Sequence, residues 1–208
     1  MDILDIHTHH NAPQPQGIIA VSPDAFMPVA GQLYSVGIHP WDTAKEITRQ
    51  QWNLLEEAAQ SDQVAAIGEC GIDLTKGAPL FRQMQVMKRQ IDLSEKIGKP
   101  LIIHDVKAHD VIIGLKKELK PRQSWIIHGF RGKPTVAEML VRAGLYLSFG
   151  ERFNPESLKK TPREFILAET DESPLTIMQV IDGLAAVAGA DIKETVERNT
   201  ENILKKIL

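Results

Sequence analysis

The chain has 208 residues, of which 43% are hydrophobic and 25% charged, a composition that fits an ordinary globular protein with one sizeable core. Its net charge of −3 gives no reason to expect a broad basic surface for nucleic acid, although a local basic patch is compatible with it. The single cysteine, Cys70, excludes a disulfide within the chain, and no apolar run approaches the ~18 residues that span a membrane. The opening residues lack the basic and apolar segments of a secretory signal, so we expect a cytoplasmic protein.

Eight short apolar runs, rich in Ile, Leu and Val, alternate with loops or helical segments along the chain. The runs lack strict polar alternation, which is typical of parallel strands buried on both faces. We predict strands within residues 2–10 and at 17–21, 33–38, 63–67, 100–103, 124–127, 145–149 and 163–168. We predict helices at 43–60, from near Pro79 to 97, at 110–119, 133–143 and 174–188 and from Asp191 onwards, with short helical turns after Ser22 and Asn154.

Eight strand–helix units predict a single α/β domain over residues 1–208, folded as a (β/α)8 TIM barrel. The barrel is a shortened one, because residues 11–16, with two prolines, form only a loop and leave no room for a first crossover helix. The helix after the second strand is reduced to a few turns at most. A doubly wound open sheet is the structural alternative.

Residues of the types that can bind metal ions, His, Asp and Glu, follow several of the apolar runs. In parallel sheets the carboxyl ends of the strands meet at one rim, where active sites form. Side-chain parity places an inward apolar residue two positions before most of these residues, as in Ile102 before His104 and Ile126 before His128; Ile67 before Glu69 fits the same pattern. The candidate ligands are His7, His9, Glu69, His104, His128 and Asp171.

Four imidazoles and two carboxylates are too many for one tetrahedral zinc ion. They suit two divalent ions bridged by a carboxylate, and the mixed nitrogen and oxygen donors disfavour calcium. The sequence therefore predicts two divalent ions (Mg, Mn or Zn), bridged by a carboxylate and a water or hydroxide.

The motifs around these residues resemble those of the TatD family of metal-dependent deoxyribonucleases, in order and over nearly the whole chain. The matching stretches are Asp-Ile-His-Thr-His at 5–9, Gly-Ile-His-Pro at 37–40, Gly-Glu-Cys-Gly-Ile-Asp at 68–73, Ile-His at 103–104, Ile-His-Gly-Phe at 127–130 and Glu-Thr-Asp-Glu-Ser-Pro at 169–174.

This resemblance implies a TIM-barrel hydrolase that cleaves DNA phosphodiesters. It implies that one ion is held by His7, His9 and Asp171 and the other by His104 and His128, with Glu69 bridging both. Glu69 and Asp171 are then the catalytic carboxylates, and Asp171 orients the attacking water or carries its proton.

Other residues near the predicted rim can have either a functional or a structural role. His39, Arg131 and Lys133 are candidate substrate contacts, but a turn-stabilising role for His39 and plain surface charge for the two cations are comparable readings. Asp5 can orient a ligand imidazole or make a plain hydrogen bond at the rim of the core, and Asp73 can hydrogen-bond at the rim.

The chain also departs from the family pattern on the substrate side. Val106 stands where the family commonly has an arginine, and Leu74-Thr75 replaces a usual aromatic pair. DNA stays the leading substrate because of the family resemblance, while these departures favour the alternative, a small phosphoester, amide or lactone. A non-catalytic metal-binding protein is a third interpretation. The short first crossover leaves a barrel wall that a homodimer partner or the C-terminal helices would cover.

Overall fold

The computed structural model describes residues 4–11 and 17–205, which contain a closed barrel of eight parallel strands in chain order. The predicted TIM barrel is confirmed, and the open sheet is wrong because the first strand pairs with the last through Asp5 and Ala168. Residues 12–16 of the predicted loop, and the outermost positions of the predicted first strand and last helix, lie outside the described residues. The strands are β1 (Asp5–Thr8), β2 (Gly17–Val21), β3 (Leu33–Val36), β4 (Val64–Asp73), β5 (Leu101–Val106), β6 (Trp125–Ile127), β7 (Tyr146–Phe149) and β8 (Ile166–Ala168).

The helices follow the strands from β3 onwards. None in the described ranges has the length and apolar character to cross a bilayer. They are α1 (Arg49–Ala58), α2 (Leu80–Ile97), α3 (His109–Leu119), α4 (Pro134–Arg142), α5 (Pro155–Lys160), α6 (Ile177–Ala188) and α7 (Ile192–Leu204).

Capping side chains decide where several helices begin. The helix predicted at 43–60 starts only at Arg49, because Thr48 and Gln51 form a capping box; the residues Pro40–Ala44 make a separate 3₁₀ turn. The helix after Ser22 is likewise only a 3₁₀ turn, Pro23–Ala25, as the prediction of reduced early crossovers requires.

The predictions for the last two helices need correction at their starts. A second capping box, formed by Thr176 and Gln179, starts α6 three residues later than position 174. Asp191 stands at the N-cap of α7 but makes no side-chain cap, although a capping box with Glu194 is what the sequence predicts; it pairs instead with Arg163 at 3.1 Å.

Strand β4 is twice as long as predicted and carries Glu69 within it rather than at its end. The extension pairs with β5 as far as Asp73, and Gly71 makes this pairing close: a Cβ there would lie 2.1 Å from the carbonyl oxygen of His104. The absence of a side chain at Gly71 therefore lets β4 and β5 run together to the rim.

Most strands contribute at least one apolar side chain to the barrel interior. Helix α7 closes one end of the barrel. Asn199 of α7 donates hydrogen bonds to the carbonyls of Arg163 and Ile166 at the start of β8. Ile203 and Leu204 then pack on the interior cluster, so the opposite, carboxyl end of the strands forms the mouth of the barrel. The interior residues from the strands are Ile6, Ile18, Leu33, Ala65, Ala66, Ile102, Ile126 and Leu167.

The walls near the short first crossover are covered. All four residues of β1 are buried, and so are the first four of β2. The homodimer predicted to cover this wall is therefore not needed to remove these strands from water.

Candidate metal centre

The six predicted ligands converge at the mouth of the barrel, although they come from strands far apart in sequence. Irregular pairing helps two of the strands to aim them. The register of β1 shifts between Asp5 and Thr8, and that of β4 shifts between Ile67 and Cys70. Bulges of this kind re-aim side chains next to active sites.

The parity argument for Glu69 was wrong in its details. Ile67 packs in the outer cluster with Leu101 and Ile103, not in the barrel interior. Glu69 nevertheless faces the mouth, because the register shift that follows Ile67 turns the next residues of the strand. The parity of Ile102, Ile126 and Leu167, which do fill the interior, is confirmed.

The first half of the cluster joins side chains that follow the first and last strands with Glu69 of β4. The Nε2 atoms of His7 and His9 each lie 3.6 Å from Oδ1 of Asp171 and 3.6 Å from Oε2 of Glu69. Tetrahedral ligands about 2.1 Å from a shared ion would be ~3.4 Å apart. The four donor atoms are thus spaced as ligands of one ion would be.

The second half uses the other oxygen of the same carboxylate. Glu69 Oε1 lies 2.9 Å from Nδ1 of His104 and 2.7 Å from Nε2 of His128. One carboxylate therefore presents one oxygen to each pair of imidazoles, which is the arrangement of a bridging ligand.

Backbone hydrogen bonds fix Asp171 beside the two N-terminal histidines. Its N–H donates to the carbonyl of His7 at 3.0 Å, and its own carbonyl accepts from the N–H of His9 at 3.0 Å. Asp171 adopts a left-handed backbone conformation with φ of 53°, which costs energy for a residue with a side chain. The geometry of the site holds it there.

The charges of the cluster are matched. Burial alone would raise the pKa of Glu69, but the nearby His128 and hydrogen bonds from His104 and His128 hold it well below its usual range. Burial likewise opposes the charged form of His128, yet the neighbouring carboxylate of Glu69 raises its pKa. Glu69 is therefore an ionised acceptor, as a bridging ligand must be.

Several buried nitrogen atoms of the cluster have no hydrogen-bond partner among the described residues. They are Nδ1 and Nε2 of His7, Nε2 of His104 and Nδ1 of His128. Of these, Nε2 of His7 faces the carboxylates of Glu69 and Asp171. Buried polar atoms are almost always paired, so this unpaired nitrogen indicates a missing ligand between the imidazole and the two carboxylates. Within each of three groups of side chains, the possible ligand atoms lie within 4.8 Å of one another. The groups are His7, His9 and Glu69; His7, His128 and Asp171; and His39, Glu69 and His104. The side chains present thus fit divalent metal ions.

Asp5 lies next to the centre but contacts the backbone rather than an imidazole. Its Oδ1 accepts from the N–H of Thr170 at 3.0 Å, and its Oδ2 accepts from the hydroxyl of Thr170 at 2.7 Å. Burial raises the pKa of Asp5 to about 7. Of the two interpretations of Asp5, these contacts fit the hydrogen bond at the rim: Asp5 holds the segment that carries Asp171.

His39 lies inside the cluster, and its tautomer follows from its contacts. Its Nδ1 accepts a hydrogen bond from the N–H of Trp41, so its proton resides on Nε2 when the ring is neutral. Nε2 lies 3.1 Å from Glu69 Oε1 and donates to it. His39 is thus placed to donate a hydrogen bond at the metal centre, while it also caps the 3₁₀ turn.

Asp73 supports the rim from the end of β4. Its Oδ2 accepts from Trp41 Nε1 at 2.7 Å and lies 3.5 Å from His104 Nε2, and its Oδ1 accepts from Thr75. Burial opposes ionisation, but these hydrogen bonds outweigh it and lower the pKa of Asp73 to about 2. The predicted supporting role of Asp73 fits this network.

Two neighbouring cavities open at the mouth of the barrel, and of the two predicted substrate-binding cations, Arg131 and Lys133, one lines them and the other does not. A cavity of about 560 Å³ is lined by His9, Glu69, His104, His128 and Asp171, together with Trp41 and Val106; a smaller one of about 180 Å³ lies beside β7 and β8. Arg131 lines both. Lys133 is not among the described residues that line either cavity, because the chain has already turned into α4, whose N-cap it is.

Sequence reasoning missed Glu169. This residue is fully buried, accepts a hydrogen bond from the N–H of Gly129, and has Oε1 3.7 Å from Nδ1 of His128. A carboxylate behind a ligand imidazole orients the ring and raises its basicity. The available signal was its parity with Leu167 in the last strand, which predicted that it faces inward.

The fold and the clustered donors define a TIM-barrel protein with a candidate metal centre at the carboxyl ends of its strands. A profile of the family described as TatD related DNase matches residues 30–207. The chain belongs to this family.

Relatives and solved structures agree with this assignment. The uncharacterized metal-dependent hydrolase YabD of Bacillus subtilis is 29% identical over 190 residues, which cover 81% of this chain and 74% of YabD. Human deoxyribonuclease TATDN3 is 30% identical over 165 residues, or 69% of this chain and 60% of TATDN3. The crystal structure of YjjV, a TatD homologue from Escherichia coli, has the same fold, with a TM-score of 0.81, 20% identity and coverage of 98% and 97%. The chain thus spans only about 60% of the length of TATDN3.

Proposed function

We propose that this chain is a two-metal hydrolase that cleaves phosphodiester bonds of DNA. The observation that carries the proposal is the position of Glu69, whose Oε2 faces His7 and His9 while its Oε1 faces His104 and His128 and accepts from His39. Family membership supports the hydrolytic class, and the name of TATDN3 supports DNA as the substrate.

In this proposal His7, His9 and Asp171 would hold one divalent ion and His104 and His128 the other, with Glu69 as a ligand shared by both sets. The ions (Mg, Mn or Zn) would lower the pKa of a bound water and neutralise charge on the phosphoryl oxygens. Family membership supports metal dependence, while the number and identity of the ions are part of the proposal.

The side chains around the ions have separate tasks. Asp171 Oδ1 faces His7 and His9, so we assign its Oδ2 to accept the proton of the attacking water. The Nε2–H of His39 is placed to donate to an oxygen at the centre. Arg131, which lines both cavities, is placed to orient a phosphate as a fork of donors.

The test is cleavage of an end-labelled single-stranded DNA oligonucleotide by metal-reconstituted protein, with metal content measured in parallel. Glu69→Gln and Asp171→Asn are expected to stay folded and lose nearly all cleavage, and Glu69→Gln also to bind less metal. Glu164→Gln, an exposed carboxylate on the 3₁₀ turn before β8, is the matched control. Wild-type activity in both site variants, or no hydrolysis by the reconstituted protein, would sink the proposal.

A small phosphoester is the second candidate substrate. It is favoured by the apolar side chains Val21 and Val106 in the wall of the larger cavity, the latter standing where the family resemblance predicts an arginine. Chromogenic phosphoesters, amides and lactones assayed beside the oligonucleotide distinguish these substrates. Turnover of a small ester without cleavage of DNA would favour the alternative, and no turnover at all would favour a metal-binding role.

Two further predictions concern the setting of the protein. The cytoplasmic location is inferred from the single cysteine, Cys70, which is buried and free. The homodimer is tested by light scattering of the purified chain. A monomer would refute the dimer without affecting the metal centre.

A further inference from the structure

We propose that Trp41 forms a stacking site for an unpaired nucleobase at the entrance of the larger cavity. This inference rests on the proposed nuclease function and names the part of the substrate that the entrance recognises. Trp41 is 45% exposed although it lines the cavity that contains the predicted metal ligands. An aromatic ring beside a nuclease site can serve as a platform on which an unpaired base stacks.

The indole is held in a fixed orientation rather than left free. Its Nε1 donates to Asp73 Oδ2 at 2.7 Å, and the Trp41 N–H donates to Nδ1 of His39. Asp73 is itself held by hydrogen bonds from Thr75 and the N–H of Lys76. A preorganised ring loses little entropy when a flat ligand stacks on it.

A cation accompanies the ring. The ammonium of Lys76 lies over one face of the Trp41 ring, 3.9 Å from its centroid. Because the Lys76 side chain is exposed, a base that stacks on this face would displace the ammonium towards the phosphate of the same nucleotide. Aromatic platforms next to basic side chains are the usual means of binding single strands, because the ring takes a base and the cation takes the backbone. The pair therefore matches a nucleotide better than an uncharged apolar ligand.

The stacking site is one side-chain layer from the metal centre. The rings of Trp41 and His39 are 4.7 Å apart, and His39 Nε2 is 3.1 Å from Glu69. A base on Trp41 would thus leave its own flanking phosphate near the predicted ions. Because bases of a duplex are already stacked on their neighbours, this arrangement favours unpaired strand ends.

Trp41 is the tryptophan that a ligand can contact, because the other two, Trp52 and Trp125, are buried, so quenching by a bound base reports on Trp41. The probe is a short single-stranded DNA with phosphorothioate linkages that resist hydrolysis, compared with a matched probe that lacks the bases. Metal-loaded wild type is expected to bind the base-containing probe about tenfold or more tightly than the abasic one, with quenching of tryptophan emission.

Variants separate stacking from general packing. Trp41→Leu keeps an apolar side chain and is expected to lose the preference for bases, whereas Trp41→Phe restores most of it. Phe81→Ala removes another exposed aromatic, 74% accessible and not among the residues that line the cavity, and is expected to keep the full preference. Equal binding of both probes by wild type, absent binding of the base-containing probe, or an unchanged preference in Trp41→Leu would overturn the inference. Cleavage is measured separately, so a failure of the nuclease function is seen as lost turnover and not as lost base preference.

Discussion

Glu169 Oε1 lies 3.7 Å from Nδ1 of His128, on the side of the ring opposite the nitrogen that faces Glu69. The carboxylate is fully buried and is held by the N–H of Gly129. It thus supports His128 from behind in the proposed metal centre.

We expect Glu169→Gln to weaken metal binding by about 10–100-fold, because the amide cannot provide the negative charge that keeps the imidazole basic. Calorimetric titration with Mn²⁺ or Zn²⁺ measures the effect. Glu164→Gln provides the exposed control, and unchanged affinity in Glu169→Gln would show that Glu169 only fills space.

The two predicted cations should differ in effect. Arg131 lines both cavities and Lys133 neither, so Arg131→Ala is expected to weaken binding of an uncleavable oligonucleotide about tenfold and to reduce its salt dependence by about one phosphate contact. Lys133→Ala is the matched control on the same segment and should change little. Equal effects of both variants would mean that their contribution is diffuse charge.

A side chain at Gly71 should disturb the site through the backbone. Its Cβ would lie 2.1 Å from the carbonyl oxygen of His104, and its φ of +142° is unfavourable for alanine. Gly71→Ala is expected to cost about 2–4 kcal/mol in the free energy of unfolding and to lower metal affinity. Gly98→Ala, at the end of α2 with nothing within 4 Å of the added atom, should cost only about 1 kcal/mol and leave metal binding intact.

Lys116 gives a prediction about pH that is independent of the metal centre. Burial lowers its pKa to about 8, and its ammonium lies 5.0 Å from the ring centroid of Trp125. A lysine whose pKa is lower in the folded state destabilises the fold while it is charged. The penalty is full below the folded pKa and disappears as pH rises towards the unfolded value near 10.5.

Lys116→Met should therefore raise the melting temperature most at about pH 7 and by progressively less from about pH 8 to about pH 10. Thermal unfolding of wild type and variant over this range measures the difference. The neighbouring exposed Lys117 serves as the control. A stability gain that is the same at every pH would point to packing alone.

Much of the fold was predictable because buried parallel strands have an apolar composition that local sequence reveals. The ligand types after those strands pointed to the centre, and the structure brings them together. The backbone irregularities that direct Glu69 and His7 into the centre were not predictable, because register shifts in β4 and β1 depend on the neighbouring strands. The partner of Asp5 was also hidden, because Thr170 lies 165 residues away along the chain.

The seam of the barrel has a consequence for how the site is maintained. The first and last strands are joined by one residue pair, Asp5 with Ala168, and by the bridge between Thr8 and Asp171. His7 and His9 stand on one side of this seam and Asp171 on the other. Separation of β1 from β8 would therefore remove half of the proposed ligands from the centre at once. Metal bound at the centre would in turn hold β1 and β8 together, so that closure of the barrel and assembly of the catalytic site would be coupled.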